Sequence, residues 1–351
     1  MARILAGIGL IGVAALLIYA LLTVKPLPIV PPAMSQLQAK EMRISLLALG
    51  DINLGRGVGQ EILDGDTLYP FQAVRDTFAR FDLVIGNLES CLSEQGGETQ
   101  SSENNLIFTG PPAGAWSLRR AGIHVVSTAN NHALDYGLKG WSETLDRLQV
   151  AGVEFVGTGP DSLRVAGPLV LERGVVRLAI FACTDVMNRP GSSWKKYVAA
   201  ADTGTLSKKI RAVRDSADFV IVSYHGGEEY SERPTRQTVE FARAMIDAGA
   251  DLFLGHHPHV PYGIERRGKG LIVHSLGNFV FRQPAREWTQ KSYAFAAEIT
   301  KDTAAARLNG YRIIPVRCGL QPTFAVDRYE ADGIYERVRQ LSSFEVTEHI
   351  R

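Results

Sequence analysis

The segment LFLGHHPHV, residues 252–260, ends an apolar run with His256, His257 and His259. The whole chain has 8 histidines, so this stretch concentrates them. Imidazoles bind borderline divalent metals and move protons near neutral pH. On extended backbone, residues two apart share a face. His257 and His259 are therefore expected to hold one cation or a pair. His256 is expected to point the other way, toward substrate.

Groups of related chemistry end other apolar runs. Asp51 and Asn53 follow RISLLALG, in GDINLGR, which also carries Arg56. Asn87 and Glu89 follow DLVIG. Asn130, Asn131, His132 and Asp135 follow HVVSTA, in ANNHALDYG. His225 and Glu228 follow DFVIVSY, and Asn278 follows LIVHSLG. Each alone has an ordinary reading: Gly-Asp after a strand is a common turn, and a single histidine is often a hydrogen-bonded interior residue. Recurrence at six strand ends is what a site requires. Carboxylate, carboxamide and imidazole together suit manganese, zinc or iron(II). No cysteine lies among these motifs, which argues against a structural zinc site. Paired divalent ions activate water and stabilise a displaced oxygen in dinuclear hydrolases. In NNHALD, a carboxylate stands three residues after a histidine. On a helical turn Asp135 would fix the tautomer of His132, leaving the other ring nitrogen to protonate a leaving group.

The elements that must position these residues are legible as well. Strand-length apolar runs alternate with amphipathic segments such as SETLDRLQVAG and QTVEFARAMIDAG. That alternation predicts an α/β fold, a sheet covered by helices. Gly122, Gly152 and Gly249 stand where left-handed helix caps belong. In α/β folds, ligands bind outside the carboxyl ends of the strands.

The 351 residues fit one large domain or two small ones. With 45% hydrophobic residues a sizeable core is available, and a net charge of +1 gives no basic field for nucleic acid. The three cysteines, Cys91, Cys183 and Cys318, are an odd number and read as small buried hydrophobes. Residues 4–24 carry no charge. At about 1.5 Å per residue they span the roughly 30 Å core of a bilayer. A cleaved signal peptide has a shorter apolar region, roughly 7–15 residues. The expectation is a transmembrane anchor over residues 1–25, a proline-rich tether over 26–42 and one folded domain over 43–351. The protein would be single-pass in the cell membrane, with that domain outside the cytoplasm.

The stretches LGDINLGR, DLVIGNLES, STANNHALDYG, VSYHGGEEY, AGADLFLGHHPHV and HSLGNFVF cover residues 44–282. In these, and in their order, the sequence resembles the CapA family of capsule and poly-γ-glutamate synthesis proteins, whose fold is related to the calcineurin-like metallophosphoesterases. The resemblance implies a β-sandwich flanked by helices, a metal centre at one edge, a membrane anchor at the N-terminus and a role at the cell surface. It implies metal ligands at Asp51, Asn53, Glu89, Asn131, His225, His257 and His259, and His132 as acid beside Asp135. Asn53 stands where the phosphoesterases place a histidine, and Asn87 where they place a bridging aspartate. Glu89 is the expected carboxylate, because a neutral amide bridges two cations poorly. His225-Gly226-Gly227 replaces the family's usual His-Trp-Gly. Arg56, Asn130, Glu228, His256 and Asn278 are the expected substrate contacts. The implied cofactor is a divalent metal, two ions of manganese, zinc or iron. The implied partners are a membrane polymer synthase and an anionic polymer. Two functions follow: a hydrolase of a phosphoester or polymer amide bond, or an anchored accessory subunit that binds the polymer.

Overall fold

Each apolar run folds as a strand because both of its faces are covered. The computed structural model describes residues 42–94, 106–303 and 305–343. The expected anchor, and the tether up to Glu41, lie outside the described residues. Among the described residues no helix is long and apolar enough to cross a membrane.

The first part of the chain forms β1 (Met42–Ile52), β2 (Leu83–Leu88), β3 (Cys91–Leu92), β4 (Thr109–Gly110), β5 (Val125–Ser127) and β6 (Glu154–Val156). The middle forms β7 (Leu169–Arg173), β8 (Val176–Thr184), β9 (Phe219–His225), β10 (Leu252–His256), β11 (Ile264–Arg267) and β12 (Gly270–Val273). Then come β13 (Asn278–Val280), β14 (Lys291–Lys301) and β15 (Ala306–Arg317). One sheet has the order β15-β14-β1-β2-β5-β6, with β13 beside the end of β1. The other has the order β11-β12-β10-β9-β8-β7, and β3 and β4 pair separately.

Alternation within β1 explains the layering. Leu46 and Ala48 belong to a core shared with Leu178, Ile180, Ile221, Leu252 and Leu254 of the second sheet. Leu47 and Leu49 pack the other way, with Val58, Ile62, Phe78, Leu118 and Leu148 from helices and loops. The outer face of the second sheet, including Val220, Val222 and Phe253, packs on Ile210, Phe241 and Met245. The result is a helix–sheet–sheet–helix sandwich, the mixed α/β architecture the alternation predicts. Gly122, Gly152 and Gly249 have φ of 93°, 71° and 116°, the left-handed caps expected of them.

The observed sheets are larger than the apolar runs alone suggest. The antiparallel strands β7, β11, β14 and β15 and the helix Arg328–Gln340 escape a reading built on apolar runs that end in donors. β15 alternates half-buried and exposed positions over most of its length, so its signal is weak. Of the cysteines, Cys91 and Cys183 are buried, whereas Cys318 is only partly covered.

Candidate metal centre

Register puts the donors together. On β1, Asp51 pairs with Asn87 of β2 on one side and Asn278 of β13 on the other. On the second sheet, His256 at the end of β10 pairs with His225 at the end of β9. The chain can crowd here because Gly50 has no side chain: a Cβ there would lie 2.1 Å from the Gly277 carbonyl oxygen. That close approach lets the Asp51 N–H donate to the same carbonyl, at 2.9 Å.

Two groups of three donors form where the sheet ends meet. One is Glu89, His225 and His257; the other is Asp51, Glu89 and His259, with ligand atoms within 4.8 Å of one another in each. Glu89 belongs to both. Its Oε1 lies 3.7 Å from His132 Nε2, 3.8 Å from His259 Nε2 and 3.9 Å from His225 Nε2. Both Glu89 oxygens are buried without a hydrogen-bond partner. A buried ion needs compensation, and among the described residues no group hydrogen-bonds to either oxygen. Burial, then Asp51 and Glu229, pushes the Glu89 carboxyl well above the usual range. Burial also works to raise Asp51, yet contacts with His256 and His259 hold it well below that range. Burial and His257 push His225 well down, and burial and His259 push His257 down to about 3. Neutral imidazoles and buried carboxylates are the forms that bind divalent ions. The donor set and the unpartnered Glu89 oxygens therefore fit a divalent cation.

The remaining expected residues separate into three kinds. Asn131 lies in the centre, with Oδ1 2.8 Å from His225 Nε2. His132 and Asp135 meet through Nδ1 and Oδ2 at 2.6 Å, but on a turn that precedes the helix Gly137–Ala151, not within a helix. Asp135 Oδ2 also accepts from the Phe108 N–H at 2.7 Å, and the Phe108 ring stacks on His132 at 4.0 Å. The Arg56 guanidinium lies over the Phe108 ring, 4.5 Å from its centroid.

Several placements differ from expectation. His257 and His259 are not on extended backbone; their φ values are 95° and 59°. The turn through Pro258 sends them into different groups, and it is tied down by the Tyr230 N–H donating to the Pro258 carbonyl at 2.9 Å. His256 does not point away: its Nδ1 is 3.3 Å from Asp51 Oδ1. Asn53 spends its Oδ1 on the Gly55 N–H, 2.8 Å away, in a local turn. Asn130 and Asn278 are buried among protein partners and do not line the open cavity. Glu228 is exposed, and its neighbour Glu229 lines the cavity instead.

That cavity, of about 730 Å³, opens beside His132 and His259 and carries Arg56, Arg282, Arg286, Glu229 and Tyr230. The Arg286 guanidinium lies over the Tyr230 ring at 4.7 Å, and Tyr230 OH accepts from Gln283 Nε2 at 3.0 Å. Three arginines against one glutamate give its lining a net positive charge. Sequence reasoning missed Arg282, Tyr230, Gln283 and Arg286. The run RQPAREW, directly after the last motif, carries Arg282, Gln283 and Arg286, and Tyr230 ends the motif VSYHGGEEY.

A sandwich of two sheets with carboxylates and imidazoles converging at one edge defines the class of protein. Residues 45–283 match the family model described as bacterial capsule synthesis protein PGA_cap, and the chain belongs to that family. It is 32% identical to the capsule biosynthesis protein CapA of Bacillus anthracis over 78% of this chain, and 35% identical to the PGA biosynthesis protein CapA of Bacillus subtilis over 70%. The matches span 66% and 65% of those two relatives. Among solved structures, a calcineurin-like phosphoesterase from Bacillus subtilis aligns with a TM-score of 0.48 and 12% identity, over 86% of this chain and 97% of that one.

Proposed function

We propose that this chain serves anionic-polymer synthesis at the cell envelope, and that its domain binds two divalent cations and hydrolyses an ester or amide bond of such a polymer. The observation that carries this reading is Glu89, shared by two donor groups and with neither oxygen partnered, beside an arginine-lined cavity. Asp51, Glu89, Asn131, His225, His257 and His259 would hold the ions. Manganese, zinc and iron(II) all suit that set. When bound, such ions supply an activated water and stabilise developing negative charge.

The chain's own residues supply the rest. Asp135 Oδ2 accepts a hydrogen bond from His132 Nδ1–H and fixes the ring, so Nε2 is the atom turned toward Glu89. That nitrogen is placed to deliver a proton to a leaving group. Phe108 holds the imidazole plane by stacking. Arg56, Arg282 and Arg286 face the negative charges of the polymer. Residues 4–24 would anchor the protein in the membrane beside a polymer synthase, with the domain outside the cytoplasm.

A second reading, an accessory subunit that binds polymer without cleaving it, has one observation in its favour. A carboxamide, Asn87, stands beside Asp51, so the centre has two carboxylates only, Asp51 and Glu89. Metal analysis of the purified full chain, joined to phosphodiester and poly-γ-glutamate cleavage assays, separates the readings. Metal with turnover supports the hydrolase; metal without turnover on either substrate supports the accessory subunit. A chain that takes up no divalent metal defeats both. For the anchor, mass spectrometry of the native protein should find an N-terminus before residue 4; a start beyond residue 24 identifies a cleaved signal.

A further inference from the structure

Asn278 and Asn87 flank Asp51 in register, and each touches an imidazole of the centre. They present opposite ends of their carboxamides. Asn278 Nδ2 donates to the Thr289 carbonyl at 2.9 Å, a group that can only accept, and to Gln283 Oε1 at 2.9 Å. Its Oδ1 is thereby turned to His259 Nδ1, at 2.9 Å. That nitrogen must donate. The lone pair of His259 is left on Nε2, the atom 3.8 Å from Glu89 Oε1.

On the other side the chain of roles begins at Asn130. Its Oδ1 accepts from the His132 N–H at 3.1 Å, and its Nδ2 donates to the Leu88 carbonyl at 2.8 Å. Two backbone groups of fixed role set its orientation. The same Nδ2 reaches Asn87 Oδ1 at 3.1 Å. Asn87 therefore turns its Nδ2 to Asp51 Oδ1 at 2.9 Å and to His225 Nδ1 at 3.1 Å. His225 Nδ1 must accept, and the hydrogen of the neutral ring sits on Nε2. That is the atom 3.9 Å from Glu89 Oε1, where a ligand lone pair is required. It donates to Asn131 Oδ1 at 2.8 Å. Asn188 Oδ1 accepts from Asn131 Nδ2 at 3.0 Å, which leaves the Asn131 oxygen for His225.

We infer that Asn87 is a positioning residue that makes the two cation sites unequal. The Asp51–Glu89–His259 group takes the first ion. The Glu89–His225–His257 group takes a second about 10–100-fold more weakly, the usual effect of a mismatched outer partner on a ligand. Moving the His225 hydrogen to Nδ1 sets it against the Asn87 amide hydrogens. Rotating Asn87 instead sets its oxygen against Asp51 and its amide hydrogens against those of Asn130. Either change leaves buried polar groups opposed. The inference rests on the metal-binding reading above.

The test is calorimetric titration of the metal-stripped full chain with Mn²⁺. The wild type should bind in two steps whose Kd values differ by about 10–100-fold. Asn87→Asp gives His225 Nδ1–H an acceptor, so it should tighten the second step by about the same factor; the first step is no control, because Asn87 Nδ2 also donates to Asp51 Oδ1. Equal steps in the wild type, or an unaltered second step in a folded Asn87→Asp protein, overturn the inference while leaving metal binding intact. A wild type that binds no Mn²⁺ overturns both. Should Asn87→Asp fail to fold, nitrogen-15 NMR of the metal-stripped wild type decides: the hydrogen should sit on Nε2 of His225 and on Nδ1 of His259, and the reverse assignment overturns the inference.

Discussion

The two sheets bring unlike chemistry to their common edge. The first supplies both carboxylates, Asp51 and Glu89, with carboxamides and His132; the second supplies His225, His256, His257 and His259. Each donor group draws at least one carboxylate from the first sheet and at least one imidazole from the second. Neither sheet holds a complete group alone. The centre is therefore a product of sheet packing, and a bound cation would join the two halves.

Glu89→Gln breaks this junction most severely, because both groups lose the residue they share. The variant should lose binding at both sites by more than the roughly 10–100-fold that an outer partner is worth. The stabilisation that Mn²⁺ gives the wild type, about 2.7 kcal/mol at 100 times Kd, should vanish with it. Thermal melts with and without Mn²⁺ measure this; an unchanged metal-induced shift in Glu89→Gln removes Glu89 from the centre.

His132 is the imidazole that the first sheet contributes, so it tests whether location predicts role. His132→Ala should fold and keep its metal, and lose roughly 10²–10⁴ in turnover as a positioned acid does. Full hydrolytic activity in a folded, metal-loaded variant ends that assignment.

Asn278→Ala removes the acceptor of the His259 hydrogen together with the donor to the Thr289 carbonyl and Gln283 Oε1. First-ion affinity should fall by about 10–100-fold with little change in fold. Calorimetry reads this directly, and an unaltered first step means that His259 is oriented by something other than Asn278.

The smallest effect lies away from the centre, where a histidine and a carboxylate meet within one sheet. Burial would raise the Glu265 carboxyl, but hydrogen bonds from His274 and Arg243 lower it from 4.5 to about 2. A depressed carboxyl stabilises the fold above its unfolded value, and that contribution is lost as pH falls. Glu265→Gln should thus cost about 1 kcal/mol at pH 7, after discount for solvent screening of this part-exposed group. The difference from wild type should close between pH 4.5 and about 2. Urea melts across that window check the sign; a gap that widens on acidification refutes it.

Much of this was legible in the chain itself. Donors stand out when they end apolar runs, because a strand buried on both faces leaves few polar residues except at its end. Asp51, Glu89, Asn131, His132 and His225 were found that way. What escaped depends on contacts between distant segments. The left-handed turn at His257 and His259 follows from docking of Pro258 against Tyr230, which no local pattern announces. Whether an asparagine offers oxygen or nitrogen to an imidazole follows from partners as remote as Thr289, and is invisible in spacing. β15 alternates half-buried and exposed positions over most of its length, too weak a pattern to be read as sheet.

The place of β1 has a consequence for how the protein is made. β1 is the first strand of the described chain to leave the ribosome, yet one of its two long edges pairs with β14, from Met42 opposite Lys301 to Ala48 opposite Phe295. That edge stays open until some 250 further residues have been synthesised, since residues 42 and 301 are the paired ends. An open strand edge invites wrong pairing, and closure over such a sequence separation is slow. The residues that frame Asp51 from β13 also arrive late. The nascent protein thus passes through a long stage in which its most buried aspartate lacks its β13 neighbour and the imidazoles of the second sheet, and a holding factor that shields β1 would raise the yield of correctly closed molecules.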